Sequence, residues 1–327
     1  MPKVSVIIPF FNATPHLRKC VESCTKQTLA EIEIILVDDK SADNSLQVAQ
    51  SLAHSDGRIR LVSHSQNLGT FLARKSGVDC AKGEFLFFLD ADDFLSVNAL
   101  EILYKSAVEN GADMVHCDIL PLPFKRLSSK PKIQMQILQN DEILRQIFIC
   151  DFRCGYLVVW GKLLSANLVR HALNKLSFIN CHLVASEDSA LFLPLCALAK
   201  KSVGAVDAKY FYTQNPHSLL KSKDKKKILI QIENRTFLKE NLPILRKDGE
   251  LGRNRHFEKS LQNTLNLMDY FICYNARFLP RTGEKSGKNF AISPYIKYSI
   301  LSFKFVPRWQ IAVKLAIFLL TFGRKKL

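Results

Sequence analysis

Three carboxylates, Asp90, Asp92 and Asp93, stand within four positions at the end of the apolar run Phe85-Leu86-Phe87-Phe88-Leu89. Ionised side by side they repel one another, and each loses hydration if it is drawn inward. A divalent cation offsets both costs. Hard carboxylate oxygens at a strand end suit Mg²⁺ or Mn²⁺, which commonly takes its remaining ligands from substrate phosphates. A second acidic pair, Asp38-Asp39, ends the run "IEIILV" in the same way. There is no GxGxxG after the first apolar run and no GxxxxGK[ST] anywhere, so neither dinucleotide nor P-loop chemistry has support. What remains is a metal-bound phosphate ester held without a phosphate-cradling loop. A lone D-x-D is common by chance; the second acidic pair after another buried strand is what gives it weight.

Such clusters need elements that bring them to one edge. The first 118 residues alternate strand and helix patterns: "KVSVIIPF", "TPHLRKCVESCTKQ", "IEIILV", "SADNSLQVAQSLAHS", "RIRLVSH", "LGTFLARKSGVDCA", "EFLFFL", "VNALEILYKSAVENG" and "DMVHCDI". Runs as continuously apolar as the first are buried on both faces, and strict alternation with helices predicts an α/β fold whose sheet is mostly parallel and flanked by helices. Thr14-Pro15 starts the first helix, Ser41 or Asp43 is expected to cap the second, and Lys82-Gly83 to close the third. In such sheets ligands bind beyond the carboxyl ends of the strands, where both acidic clusters fall. Past residue 122 the pattern loosens. A Pro/Ser/Lys-rich loop is followed by "DEILRQIFIC", "YLVVWGKLLSANLV" and "ASEDSALFLPLCALAKK", then by helical segments to about residue 275. Glu187-Asp188 opens an apolar run and suits a helix N-terminus.

The 327 residues are 47% hydrophobic, enough for a sizeable core. Nine cysteines show no metal-ligand spacing, which points to reduced thiols. The opening "VSVIIPFF" lacks the basic leader and cleavage site of a signal peptide. Charge is uneven: residues 1–199 hold 20 Lys/Arg against 21 Asp/Glu, and residues 200–327 hold 26 against 9. The basic excess suggests a polyanionic partner, nucleic acid or an anionic membrane face. The stretch 305–327 is apolar but interrupted by Arg308 and Lys314, too broken to span a bilayer and suited to lying at its surface.

The succession "VSVIIPFFNATPHLRKCVESCTKQT", "IEIILVDDKSADNS", "NLGTFLARKSG" and "AKGEFLFFLDADD" resembles the nucleotide-sugar-binding half of the family 2 glycosyltransferases, which have the Rossmann-like GT-A fold. More loosely, "VVWGKLLSANLV", "ASEDSALF" and "YFYTQNPHSLLK" are similar to bacterial members that build surface polysaccharide and lipooligosaccharide, galactosyltransferases among them. The resemblance implies an inverting, metal-dependent transfer from a UDP-sugar to a hydroxyl of a lipid-linked or oligosaccharide acceptor, at the cytoplasmic face of the membrane. It implies that Pro9 and Phe11 line the nucleotide pocket and that Asp39, supported by Asp38, accepts from the uracil ring nitrogen. Arg74 would reach the nucleotide or its diphosphate, and Asp90 would hold the ribose or order its loop. Asp92 would ligate Mn²⁺ or Mg²⁺, with Asp93 supporting or sharing that task. Asp188 would be the base, Glu187 would orient the acceptor, and His217 and Ser218 would fold over the diphosphate. Trp160 would line the sugar or acceptor pocket, although a core tryptophan fits it nearly as well. One departure is Lys40, where the family often has glycine. The implied division is 1–120 for the donor, 121–225 for acceptor and base, and 226–327 as a helical basic extension.

Two other readings share some of these residues. A metal-dependent nucleotidyl or phosphoryl transferase would use the same acidic site and release pyrophosphate instead of UDP. A basic nucleic-acid-binding protein would fit the charge, but no nucleic-acid-binding motif is present and it leaves Asp39, Asp92 and Asp188 without a use.

Overall fold

The computed structural model describes residues 1–123, 137–150, 157–215, 222 and 224–276. The alternation read from the sequence forms β1 (Val4–Phe10), α1 (Thr14–Thr25), β2 (Ile32–Asp38), α2 (Ser45–Ser55), β3 (Ile59–Ser63), α3 (Thr70–Cys80), β4 (Phe85–Phe88), α4 (Ala99–Asn110) and β6 (Met114–Leu122), with the short β5 (Phe94–Leu95) between β4 and α4. Every residue of β1, β2 and β4 is buried, as expected of strands covered by helices on both faces. Pro15 lies in the first turn of α1, and Gly111 ends α4 in a left-handed conformation (φ 57°).

Neither Ser41 nor Asp43 caps α2; the N-cap is Asn44, which makes no side-chain cap bond. Asp43 instead accepts from Thr14 N and Oγ1 and from Ser45 N and Oγ, tying the starts of α1 and α2 together. One carboxylate thereby satisfies donors at two helix ends.

The sheet runs β3-β2-β1-β4-β8-β6-β9-β5, where β8 is Lys162–Ser165 and β9 is Lys201–Thr213; β7 (Leu138–Gln139) also pairs with β9. Pairing is parallel from β3 through β4 and again between β6 and β9. It is antiparallel where β8 inserts between β4 and β6, and where β5 and β7 meet β9. The parallel part is built from residues 4–88, and the strands that follow make the sheet mixed. The remaining helices are α5 (Asp141–Arg145, continued by a π turn to Cys150), α6 (Ala166–Lys175), α7 (Glu187–Leu198), α8 (Lys225–Asn241) and α9 (Phe257–Ala276). Leu238 of α8 and Leu261, Leu265 and Met268 of α9 are buried in the same apolar core as β1 and β4. Asn263 of α9 also donates to the Phe148 carbonyl (2.8 Å). Among the described residues no helix is long and apolar enough to cross a membrane; the stretch 305–327 lies outside them.

Candidate active site

At the carboxyl end of β4 the chain turns through Asp90-Ala91-Asp92-Asp93. Asp93 is almost fully buried, and both its oxygens accept from β9: Oδ2 from the Tyr210 hydroxyl (2.6 Å) and Oδ1 from Thr213 N (2.7 Å). Burial, then the charges of Asp90 and Asp92, push its carboxyl up to about 8. Of the two roles expected for Asp93, supporting Asp92 or sharing its cation, these bonds fit the first: this carboxyl fastens the turn to β9. Asp92 is half-buried and accepts from Asn215 Nδ2 (3.2 Å). Burial and the Asp90 charge raise its pKa as well. A carboxylate raised by its own neighbours fits a hard divalent cation, which would reverse the repulsion. No group of three metal-ligating side chains is assembled among the described residues, so Asp92 would be the protein's share, with the other ligands coming from substrate phosphates and water.

The second acidic cluster arrives from the other half of the sheet. Ser186 adopts a left-handed backbone (φ 65°) that turns the chain sharply into α7. Glu187 and Asp188 occupy the first turn of that helix, where its dipole favours negative charge. Arg74 of α3 reaches both: Nη1 lies 2.5 Å from Asp188 Oδ1 and 3.6 Å from Glu187 Oε1, while Nη2 lies 3.0 Å from Asp90 Oδ1. Burial opposes the charge on this arginine, but Asp188, Asp90 and Glu187 outweigh it and hold its pKa above the ordinary value. Burial raises both Glu187 and Asp188, and the Arg74 charge pulls both back. Arg74 was expected at the nucleotide or diphosphate. Here its side chain is 4% exposed and occupied by three carboxylates, and its Nε is buried with no partner. It joins the strand-end turn to the start of α7. Asp90, expected at the ribose or as an organiser of its loop, stands at one end of that bridge.

The Asp38-Asp39 pair ends β2 with both side chains buried. Asp38 Oδ1 accepts from Ser41 N (3.0 Å). Asp39 Oδ1 accepts from Leu68 N (2.8 Å) and pairs with His64 Nδ1 (2.9 Å), and Oδ2 accepts from Gly69 N (2.8 Å). The carboxylate thus shapes the loop before α3, and only Oδ2 keeps acceptor capacity beyond one bond. Gly69 is required there: at φ 85°, a Cβ would meet Leu183 N at 2.6 Å. Lys40 has φ 65°, so the position where the resembled family often has glycine does take a glycine-type backbone. Pro9 is buried in β1, whereas Phe11 just beyond its end is 49% exposed, an aromatic face open beside the acidic loops.

Trp160 is a packing residue rather than the wall of an open pocket. It is 9% exposed and stacks on Tyr210 (ring centroids 4.9 Å apart) and Tyr212 (5.3 Å). Through Tyr210 it backs Asp93. His217 and Ser218 lie outside the described residues. Sequence reasoning missed His64, which also bonds Ser76 through Nε2 (2.9 Å), and Lys162. The latter is 3% exposed, donates to the Val158 carbonyl (2.6 Å) and sits over the Phe192 ring (4.7 Å). Burial lowers its pKa to about 8. A lysine inside the apolar run "VVWGKLL" was the available signal. For Arg235 and Asn234 of α8, which reach the loop before α7, the sequence carried none.

Comparison with known proteins agrees with this architecture. Residues 5–158 match the family model described as glycosyl transferase family 2. An uncharacterised glycosyltransferase of Bacillus subtilis, EpsJ, is 31% identical over 225 residues, covering 67% of this chain and 63% of its own; the chain thus spans less than two thirds of that relative. Among solved structures, residues 1–349 of S. aureus TarS in complex with UDP-GlcNAc superpose with a TM-score of 0.57 at 16% identity, covering 92% of this chain and 91% of that one. The Pyrobaculum calidifontis mannosyltransferase PcManGT, in complex with GDP-Man and Mn²⁺, gives a TM-score of 0.51 at 15% identity, covering 92% and 81%. At these identities the two structures establish the GT-A fold.

Proposed function

We propose that this chain, which belongs to glycosyl transferase family 2 through residues 5–158, is a glycosyltransferase that moves a sugar from a UDP-sugar to an acceptor hydroxyl with inversion. The observation that carries the reading is Arg74 drawing together two carboxylate groups 98 residues apart, Asp90 at a strand end and Asp188 at a helix start. One group faces where a phosphate-bound cation would sit, and the other supplies a base. The fold shared with a UDP-GlcNAc complex supports the donor class.

In this mechanism Phe11 offers a face for the base of the nucleotide, and Asp38 and Asp39 shape the loop that bounds it. Asp92 would hold Mn²⁺ or Mg²⁺, which when bound neutralises the diphosphate and the departing UDP. Asp188 takes the proton of the acceptor hydroxyl. Burial raises its pKa, which suits a proton acceptor, and the Arg74 charge opposes that rise, while Glu187 beside it orients the acceptor. Attack by that oxygen opposite the leaving UDP inverts the sugar carbon.

A lipid-linked or surface-glycan acceptor, reached from the cytoplasmic face of the membrane, is supported by the basic excess of residues 200–327. Residues 285–327 carry nine Lys/Arg and no Asp/Glu, and each cation near an anionic surface contributes about 1 kcal/mol. The test is a screen of UDP-galactose, UDP-N-acetylglucosamine and UDP-N-acetylgalactosamine against lipooligosaccharide acceptors of defined structure, with Mn²⁺ or Mg²⁺. UDP release with a β-linked product, inverted from the α-linked donors, is expected; an α-linked product would overturn the inverting mechanism. Release of sugar 1-phosphate from these donors, or of pyrophosphate when UTP is offered instead, would identify a nucleotidyl transferase. Truncation after residue 303 is expected to lower binding to anionic vesicles and spare turnover of a soluble acceptor; unchanged vesicle binding would remove the membrane partner.

A further inference from the structure

We propose that Asn234 and Arg235 of α8 are positioning residues that hold the start of α7, and with it Asp188, in its working place; the inference rests on Asp188 being the base. The loop between α6 and α7 runs through residues 182–186, and α8 grips it at three points. Asn234 Oδ1 accepts from Val184 N (2.8 Å) while its Nδ2 donates to the His182 carbonyl (2.9 Å). One side-chain amide thereby pairs with two loop backbone groups as a neighbouring strand would. Arg235 Nε then donates to Ser186 Oγ (3.1 Å), the residue whose left-handed turn launches α7.

Burying this arginine has a cost that packing alone does not explain. It is 3% exposed and forms no ion pair with a carboxylate among the described residues. Burial lowers its pKa to about 10, against the pull of Glu187. Compensation comes from polar and aromatic neighbours: Nη1 donates to Gln231 O (3.2 Å) and Oε1 (3.3 Å), and the guanidinium lies 4.9 Å from the centre of the Phe271 ring of α9. The grip on Ser186 is thus itself fixed by both C-terminal helices.

From the opposite side the same loop meets the donor half. Leu183 O accepts from Phe71 N (3.2 Å), and Leu183 leaves room only for glycine at 69. The Ser186 turn is therefore clamped between the first turn of α3 and the face of α8. Loosening one jaw moves Asp188 relative to Arg74 without touching the acidic turn after β4. A displacement near 1 Å at a reacting group costs on the order of 10²-fold in rate.

The experiment compares Asn234→Ala, Asn234→Asp, Arg235→Ala and Arg235→Lys with the unaltered chain. Turnover is read as UDP released from the donor and acceptor pair selected by the screen above, and UDP affinity by calorimetry with Mn²⁺ present. Both alanine variants are expected to lose on the order of 10²-fold in kcat with UDP affinity within about twofold, and the Asp and Lys variants to recover part of the loss. Hydrogen exchange at the Val184 amide should accelerate in Asn234→Ala while β1 and β2 stay protected, a readout that needs no substrate. In an Asp188→Asn background, adding Asn234→Ala should cost little more, because the group being positioned has lost its chemistry. Unchanged kcat with only a lower melting temperature would overturn the inference, as would kcat and UDP affinity falling together, or full additivity in the double variant. If Asp188→Asn by itself kept full turnover, the base assignment would fail and the inference with it. An inactive Asp188→Asn beside a fully active Asn234→Ala would sink the α8 role alone.

Discussion

The two acidic clusters, Asp90-Asp92-Asp93 after β4 and Glu187-Asp188 at the start of α7, have similar chemistry and opposite upkeep. The second has a cation built in: Arg74 bonds Asp188 and approaches Glu187, and the helix dipole adds to it, together opposing the rise that burial imposes on both carboxyls. The first receives only the outer arm of that arginine, on Asp90. Asp92 and Asp93 are met by uncharged donors, Asn215, Tyr210 and a backbone N–H, and both are raised in pKa. A carboxylate pair with a built-in cation has part of its burial cost offset whether or not substrate is present. One left with neutral donors is poised for a cation that comes and goes with the substrate.

The largest effect expected is from removing the shared cation. Arg74→Ala strands carboxylates of both clusters at once, so turnover should vanish and stability fall by about 3 kcal/mol, read by urea unfolding. Survival of the fold with full activity would show that the clusters do not depend on each other. Next is Asp92→Ala, which should abolish turnover and its response to Mn²⁺ with the melting temperature unchanged or raised, since a repelling charge is gone; excess chelator should mimic it on the unaltered chain. Asp188→Asn should cut kcat by about 10²–10⁴-fold and leave UDP affinity nearly intact. Loss of both together would make Asp188 part of the donor site.

The smallest effect concerns the lysine near Asp188. Lys162 has a folded pKa of about 8, below its ordinary 10.5, because of burial. Below pH 8 both folded and unfolded states are protonated and the cost of burying the charge is fully present. Between pH 8 and 10.5 the folded state releases its proton first, so stability from this group rises with pH. Relative to the unaltered chain, Lys162→Met should therefore show a stability advantage that shrinks between pH 7.5 and 10, by at most about 3 kcal/mol. A difference independent of pH would mean that the buried lysine stays charged throughout, its pKa not lowered in the folded state.

How far the sequence could be read follows the same division. In the first half the signals were local: β1, β2 and β4 are unbroken apolar runs, and their acidic ends mark the sheet edge. The second half depends on partners far along the chain. β9 carries Gly204, Asp207 and Lys209 in an irregular pattern, because its register shifts opposite Cys117 and Asp118 and its burial alternates imperfectly. Nothing local announces it as a strand. For Arg74, Asp93 and Trp160 residue type told what each could bond, while β9 and α7, which lie beyond residue 186, decided the partners each has in the fold. The pairing of Glu187-Asp188 with the strand end was legible only through family resemblance.

The aromatic stack behind Asp93 gives this molecule a native optical probe. The chain has two tryptophans, Trp160 and Trp309. With Trp309→Phe, all indole emission would come from a ring stacked on Tyr210, whose hydroxyl bonds the carboxyl next to Asp92. Arrival of a cation at Asp92 should draw a proton from that neighbourhood and change the emission. Occupancy of the acidic turn could then be followed in real time in a stopped-flow cuvette, with no label attached and before any sugar is transferred.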